Sequence, residues 1–380
     1  MKNRVLYIFN CTTNTIGGAV QNSVNFIRIL HENNKNRDWY FVLSENVHSQ
    51  LKDILIPGSF SVFESPANNF TERKKIYNLV KKIDPILVYT NAGPAYIKFH
   101  CLHIMGCSNP YILGASKQAL KMYGGIFKRA FRYLHTSYQR YYIKKSNYWI
   151  LQTHQSANLL SKQGIDIKKC NVIFNSISHE FLSYFKENIY SHNILTNDVN
   201  ILVPSAYYPH KNLKIIPDIC EKLIKLNLNP KFILTIDKKI NLLHLFSNAD
   251  PDIVNNHILN IGPYPHSKAL SLYTSSDIIF QPSLLEVFST TYIEAIATHK
   301  PLIIADLPFS RDICKEYAFY FMPNDTDMIV RHISDLIKKP SIMEEKQKIS
   351  HDILKNYGSQ LDRFNKIYSY INYISGINNV

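Results

Sequence analysis

Twice along this chain, short runs of β-branched and aromatic residues alternate with longer amphipathic stretches. Parallel strands need a crossover long enough to hold a helix, so this alternation points to a parallel sheet wrapped by helices. In the first series Arg4–Phe9 reads as strand, Ala19–Asn33 as helix, Trp39–Leu43 as strand, Thr71–Ile83 as helix and Ile86–Thr90 as strand. Pro94–Met105 reads as helix, Tyr111–Leu113 as strand, Phe127–Lys145 as helix, and Tyr148–Gln152 and Val172–Phe174 as strands. From Ile194 the pattern restarts and runs through the strand Pro301–Ala305, and Gln360–Ile374 closes the chain as a helix. The polar stretch Phe181–Asn197 has weak periodicity and reads as a linker. The expected organisation is a domain over 1–180, a linker over 181–197, a domain over 198–358 and a final segment over 359–380. Two doubly wound α/β domains facing each other would leave a cleft between the carboxyl ends of their strands, where such sheets bind ligands.

Composition narrows the class. With 380 residues, 46% apolar and 19% charged, the chain is neither low-complexity nor disordered, and it is long enough for two cores. No apolar run reaches the roughly 18 residues of a membrane span. The opening MKNRVLYIFN has too short an apolar stretch for a signal peptide and reads as a first strand. The six cysteines form no C-x-x-C pair, which argues against a disulfide framework or a zinc ribbon, and a reducing cytoplasm is the expected setting.

Charge is one-sided. Residues 1–180 hold 23 Lys and Arg against 9 Asp and Glu, and residues 181–380 hold 20 of each, so the whole net charge of +14 lies in the first half. Such a field suits a polyanionic partner, an anionic membrane or nucleic acid.

The chemistry points to the segment Leu285–Asp306, LEVFSTTYIEAIATHKPLIIAD, in which seven residues separate Glu286 from Glu294. A strand, a loop carrying Glu286 and a helix starting near Thr291 would aim the backbone N–H groups of Phe288, Ser289, Thr290 and Thr291 at a ligand. Those groups and the helix dipole suit a phosphate, while the two carboxylates suit sugar and ribose hydroxyls. Two plain alternatives stand beside this. Thr291 and Glu294 match a T-x-x-E capping box, and Glu286 fits a solvated loop carboxylate.

The same residues resemble the E-x7-E signature of the family 4 retaining nucleotide-sugar glycosyltransferases, which have the GT-B fold. The family pattern E-G-F-G-L-P-x-x-E-A-M-A-x-G-x-P-V-I-A-S stands here as E-V-F-S-T-T-Y-I-E-A-I-A-T-H-K-P-L-I-I-A, from Glu286 to Ala305. Gly17-Gly18-Ala19, Asn175-Ser176-Ile177, His210-Lys211-Asn212, Arg311-Asp312 and Pro323-Asn324-Asp325 resemble further family motifs in order. The resemblance implies a GT-B fold, with a C-terminal helix returning to the N-terminal domain, and transfer of a hexose-type sugar with retention. Glu286 would bind the donor sugar, Glu294 the ribose, and the amides of residues 288–291 the diphosphate. Lys211 would neutralise the leaving group, and Gly17 and Gly18 would let backbone approach the phosphate. The donor would be a UDP- or GDP-sugar, with no metal and no other cofactor.

Three departures from the family pattern matter. The family Arg five residues before the Lys is Ala206, so protonated His210, or another basic residue reaching in, would have to substitute. The Gly after the signature helix is His299, at a position that often needs positive φ. The N-domain histidine expected after the strand read at Tyr111–Leu113 is absent, which leaves Ser116 or Lys117, with Asn175, to contact sugar or acceptor.

Two further features complete the reading. His100, His103 and Cys107 would share a helical face as metal ligands, against the commoner reading of a core face. The stretch Lys117–Lys145 holds eight basic residues and no acid. On a helical wheel Phe127, Phe131, Leu134, Tyr138, Tyr141 and Tyr142 share one face, with Arg129, Arg132, Arg140 and Lys144 on the other. This suits a core-facing helix with a solvated basic back, or an element lying on an anionic membrane. No nucleic-acid motif accompanies it. The expectation is a cytoplasmic enzyme peripheral to the membrane, acting on a lipid-linked saccharide in surface polysaccharide assembly. A sugar-nucleotide epimerase of the same fold, or a basic binding protein with a decayed site, stands as the alternative.

Overall fold

The structure is a computed structural model describing residues 5–15, 17–188 and 196–376. By internal contacts the chain forms two units. The first holds the residues up to Ala115, Phe127–Ser176 and the helix Gln360–Ser375, and the second holds Ser116–Ile126 and Ile177–Ser359.

The first unit carries seven parallel strands: β1 (Tyr7–Asn10), β2 (Trp39–Leu43), β3 (Phe60–Val62), β4 (Leu87–Thr90), β5 (Leu102–Gly106), β6 (Tyr148–Leu151) and β7 (Cys170–Val172). Their order is β3-β2-β1-β4-β5-β6-β7. The second unit has β8 (Asp198–Val203), β9 (Asn229–Leu234), β10 (Ile258–Asn260), β11 (Ile278–Gln281), β12 (Leu302–Ala305) and β13 (Phe319–Phe321). Their order is β10-β9-β8-β11-β12-β13, again all parallel. In both sheets the order reverses beside the first strand, which is the doubly wound arrangement. Strands such as IIFQ and LIIA are buried at every position because helices cover both faces.

Aromatic rings fill the first core. Phe9 stacks on Phe26 at 4.8 Å, and Phe26 meets Phe364 of the closing helix at 5.2 Å. That helix spaces Phe364, Ile367 and Ile371 along one face, all fully buried in the same cluster as β1 and β4. Each such side chain contributes about 1.5–3 kcal/mol relative to exposure, which ties the end of the chain to its beginning.

Three segments differ from the sequence reading. Residues 94–101 are not helical and Leu102–Gly106 is strand β5. Tyr96 sits at φ +59°, which no helix tolerates. A Cβ on Gly106 would fall 1.9 Å from the Asn91 carbonyl oxygen, so β5 ends on glycine where another loop crosses it. Tyr111–Leu113 lies in a helix, Pro110–Gly114, with proline in its first turn and Asn109 accepting from the Tyr111 N–H at 3.0 Å. The stretch read as linker begins as the helix His179–Glu187, whose Phe181 is fully buried against the Tyr273 ring at 5.4 Å. Residues 189–195 of that stretch lie outside the described residues.

Candidate active site in the second unit

Three segments at the carboxyl ends of the second sheet build the site. After β8 the chain makes a short 3-10 turn, Pro209–Lys211, ended by Asn212 at φ +56°. Asparagine suits that conformation, and its Nδ2 is fixed by donating to Asn324 Oδ1 at 3.0 Å. After β11 a loop carries Glu286, and the two loops are laced by the Leu284 N–H donating to the His210 carbonyl at 2.8 Å. The loops thereby place the Lys211 ammonium 2.5 Å from Glu286 Oε1, with both side chains only 13% exposed. Glu286 is therefore not a solvated loop carboxylate, and the cation and the carboxylate form one unit.

The helix Thr290–Ala297 follows, one residue earlier than the sequence suggested. Ser289 occupies its N-cap position without a side-chain cap hydrogen bond, and among the described residues no other side chain accepts from the first-turn N–H groups. The capping box is not formed. Glu294 Oε2 instead accepts from the Tyr273 hydroxyl at 2.7 Å. Burial pushes the Glu294 carboxyl above its ordinary value, and the tyrosine hydrogen bond only partly offsets it. A helix N-terminus left without a side-chain cap beside a buried cation has the polarity an anion needs. Thr291 and Ser289 are buried, Phe288 is half-buried against the Tyr357 ring at 5.8 Å, and Thr290 is exposed.

His210 does not supply the missing cation. Burial brings its pKa down to about 4, against a smaller upward pull from Glu286, so the ring is neutral near pH 7. It stacks on Tyr208 with ring centroids 5.5 Å apart. His299 takes φ +55°, as the position after the signature helix requires. Arg311 holds Asp306 through two bonds of 2.7 and 2.8 Å, and Asp325 caps the helix Thr326–Lys338 by accepting from the Met328 N–H. The Arg and Asp of those motifs are thus engaged in folding the unit.

In the first unit Gly17 opens the helix Gly17–Glu32 at φ +65°, a conformation that calls for glycine, and both Gly17 and Gly18 face open space. The substitute sugar contacts fare differently. Ser116 Oγ accepts from the Ala119 N–H at 3.1 Å as the cap of the short helix Lys117–Lys121, and Lys117 is exposed. With β5 at 102–106, the residues following that strand are Cys107, Ser108 and Asn109, again without a histidine. Asn175 is half-buried, with Oδ1 buried and lacking a hydrogen-bond partner among the described residues. Among the described residues no group of three His, Cys, Asp or Glu side chains could hold a metal ion. His103 is a core residue of β5, its Nε2 2.8 Å from Thr90 Oγ1 and its pKa driven down to about 3 by burial. The strand geometry separates it from His100 and Cys107 as a ligand face.

The basic helix, Ile126–Ile143, inverts the expectation. Its apolar residues Phe127, Phe131 and Leu134 are outward, 89%, 69% and 68% exposed. Its arginines turn inward. Arg140 Nε donates to the Ile112 carbonyl at 2.8 Å, Arg132 lies over the Tyr111 ring at 4.7 Å, and Arg129 is half-buried. Of the four basic residues assigned to an outer face, only Lys144 is exposed. The aromatic end of the helix docks on buried Arg73, which donates to the Tyr138 and Tyr142 hydroxyls at 2.6 and 3.2 Å. The wheel groups Phe127, Phe131, Leu134 and Tyr141, all exposed, but Tyr138 and Tyr142 of the same face turn to Arg73, and the wheel carries no sign for which side meets the protein.

Residues 185–354 match the family model described as Glycosyl transferases group 1. No curated protein sequence matches the chain. Among solved structures, a glycosyltransferase from Rickettsia africae is similar at TM-score 0.69 and 16% identity, covering 99% of this chain and 100% of that one. HepE of Anabaena, solved with UDP and glucose, is similar at TM-score 0.65 and 14% identity over 97% of this chain and 99% of that one. The lipopolysaccharide outer core galactosyltransferase WaaB is similar at TM-score 0.59 and 15% identity, covering 96% of this chain and 99% of that one. The protein has the GT-B fold of the nucleotide-sugar glycosyltransferases, and residues 185–354 give its second unit a glycosyl transferases group 1 match.

Proposed function

We propose that this protein transfers a hexose-type sugar, with retention, from a nucleoside diphosphate donor to a lipid-linked saccharide at an anionic membrane surface. The observation that carries the donor half is the Lys211–Glu286 pair set beside the N-terminus of Thr290–Ala297. As the sugar–phosphate bond breaks, negative charge grows on the departing diphosphate. Lys211 and the N–H groups of residues 288–291 stabilise that charge, and preorganised donors of this kind gain strength where water is excluded. Glu286 holds the ammonium in place and accepts from donor-sugar hydroxyls. Glu294, held by Tyr273, accepts from the ribose. HepE, solved with UDP-glucose as well, supports UDP over GDP.

The acceptor half rests on the first unit. A lipid-linked acceptor stays in its bilayer, since withdrawing it costs about 0.8 kcal/mol per CH₂. Phe127, Phe131 and Leu134 suit shallow insertion, and exposed Lys128 and Lys144 of the same unit suit anionic headgroups. WaaB, a lipopolysaccharide galactosyltransferase, is consistent with a surface-polysaccharide role. No helix among the described residues is long and apolar enough to cross a membrane.

A thermal-shift screen of UDP- and GDP-sugars tests the donor. Binding at 100 times Kd stabilises by about 2.7 kcal/mol, and the absence of a shift with every nucleotide sugar rejects the reading. Liposome flotation tests the surface. Apolar insertion predicts that binding to anionic vesicles falls only partly in 1 M salt and is lost in a Phe127→Ser/Phe131→Ser variant. Binding that salt abolishes and the variant keeps would reject insertion.

A further inference from the structure

Two arginines are buried among the described residues, each 8% exposed, and they are satisfied very differently. Arg73 donates to the Pro66 and Ala67 carbonyls and to two tyrosine hydroxyls, with the Phe70 and Tyr96 rings against its guanidinium. It is a complete structural arginine. Arg363 has none of this. It lies in the first turn of the closing helix, its Nε is buried without a partner, and no carboxylate pairs with it among the described residues. The group acting on it electrostatically is the Tyr89 phenol, and burial holds its own pKa below the ordinary value. A guanidinium this deeply buried with no carboxylate beside it is costly unless something anionic completes it.

Its position says what that partner is for. Tyr89 is near the carboxyl end of β4, and its hydroxyl donates to Asn91 Oδ1 at 3.3 Å. Asn91 in turn donates to Ser23 Oγ at 3.0 Å and to the Ala19 carbonyl, in the first turns of the glycine-led helix. Tyr89 and Phe364, the residue next to Arg363, pack on the same Phe26 ring at 5.5 and 5.2 Å, so Arg363 lies toward the strand-end region of the first sheet, where α/β folds bind ligands. The side chains networked there, Asn10, Thr12, Asn14, Ser23, Thr90 and Asn91, are all neutral.

We propose that Arg363 anchors an oxyanion site in the first unit, filled by a phosphate or carboxylate of the sugar acceptor. This rests on the reading that the first unit receives the acceptor. The planar guanidinium presents paired donors to such a group, which an ammonium does not.

The test is calorimetric titration of inorganic pyrophosphate into the full-length wild type, Lys211→Ala, Arg363→Lys and Arg363→Met, with melting curves for each. Two binding events are expected in the wild type, one lost in Lys211→Ala and the other weakened at least tenfold in Arg363→Met, while Arg363→Lys keeps it in weaker form. Because Met removes a buried charge without leaving a void, its ligand-free melting temperature should rise by at least about 2 °C. A methyl glucuronide in place of pyrophosphate separates a carboxylate ligand from a phosphate. If Lys211→Ala keeps both events, the donor-site reading fails while this one stands. If Arg363→Met binds pyrophosphate as the wild type does, if the wild type shows one event that Lys211→Ala alone removes, or if Arg363→Met melts lower, the oxyanion site is overturned.

Discussion

The strand ends of the two sheets share a topology and differ in charge. In the second unit they carry an ammonium and two carboxylates, with Lys211 on Glu286 at 2.5 Å and Glu294 on the Tyr273 hydroxyl at 2.7 Å. In the first, apart from the Arg363 guanidinium, they carry a neutral network, in which Asn14 and Asn91 both donate to Ser23 Oγ and Asn10 donates to Thr90 Oγ1. Charged groups held out of water favour a transition state that changes charge, whereas neutral amides and hydroxyls fix loops and read hydroxyls. On the proposed function, this difference puts bond breaking with the second unit and acceptor recognition with the first.

The largest effect that can break this comparison is on turnover. Lys211→Ala should lower kcat by about 100- to 1,000-fold, with a smaller change in donor KM, because its charge matters most as the diphosphate departs. Removing one partner also strands the other nearly buried, so either single variant should lose about 3 kcal/mol in stability by denaturant melts. The double variant should be less destabilised than the sum of the singles. In the first unit, Asn14→Ala and Asn91→Ala should cost stability with little effect on kcat. A kcat loss there as deep as for Lys211→Ala would erase the distinction between the units.

Next in size is Arg73→Met. Four hydrogen bonds and an aromatic surround disappear together, and the two tyrosine hydroxyls lose their donor. Hydrogen bonds to a charged group contribute about 1.5–3 kcal/mol each, so a loss of about 3 kcal/mol is a conservative expectation. Arg363→Met should shift stability the other way, which makes the pair a direct test of what burial does with and without partners.

How much of this was legible depended on whether the signal was local. The E-x7-E segment, the lysine loop and the alternation of strands are properties of contiguous residues, and they point to the second unit's candidate site. The closing helix and the first-unit core need Phe364 to meet Phe26 across more than 300 residues, which periodicity suggests but cannot pair. Strand β5 was misread because the stretch from Ile97 to Met105 is apolar at helical and strand spacing alike, and the break at Tyr96 comes from a backbone angle rather than a glycine or proline. On the basic helix the core-facing reading is overturned by exposed Phe127, Phe131 and Leu134, while Tyr138 and Tyr142 of the same wheel face dock on Arg73. Which stripe of an amphipathic helix meets protein was settled by Arg73 and the 110–114 helix, both far away in sequence. Arg363 had no sequence signal, because an orphaned guanidinium is defined by what surrounds it.

A third comparison separates the units by pH. His103 is in the first core, with a pKa of about 3 against an ordinary value of 6.5. Its folded form resists protonation, so the unfolded chain binds more protons between those values and stability falls as pH drops below about 6.5. The slope for one such group approaches 1.4 kcal/mol per pH unit. Chemical denaturation from pH 7.5 to 4.5 should show that loss in the wild type and a flatter profile in His103→Gln, whose amide keeps a donor toward Thr90.

The smallest effect concerns Glu294, and its sign is opposite. Burial raises the folded carboxyl above its unfolded value, so the folded chain binds the extra proton and the group's contribution to stability is lost as pH rises through the raised value. Near neutral pH, Glu294 is therefore a stability cost held for binding. Glu294→Gln should melt higher than the wild type at pH 7 and close to it at pH 4, while binding nucleotide more weakly because a carboxylate accepts from a ribose diol better than an amide. Tyr273→Phe removes the hydroxyl that steadies the ionised form and should cost about 1 kcal/mol at pH 7, with the loss shrinking as the carboxyl protonates. A Glu294→Gln protein that melts lower at pH 7 and binds nucleotide unchanged would mean that the carboxylate serves the fold, and the charge at the second unit's strand ends would then rest on the Lys211–Glu286 pair alone.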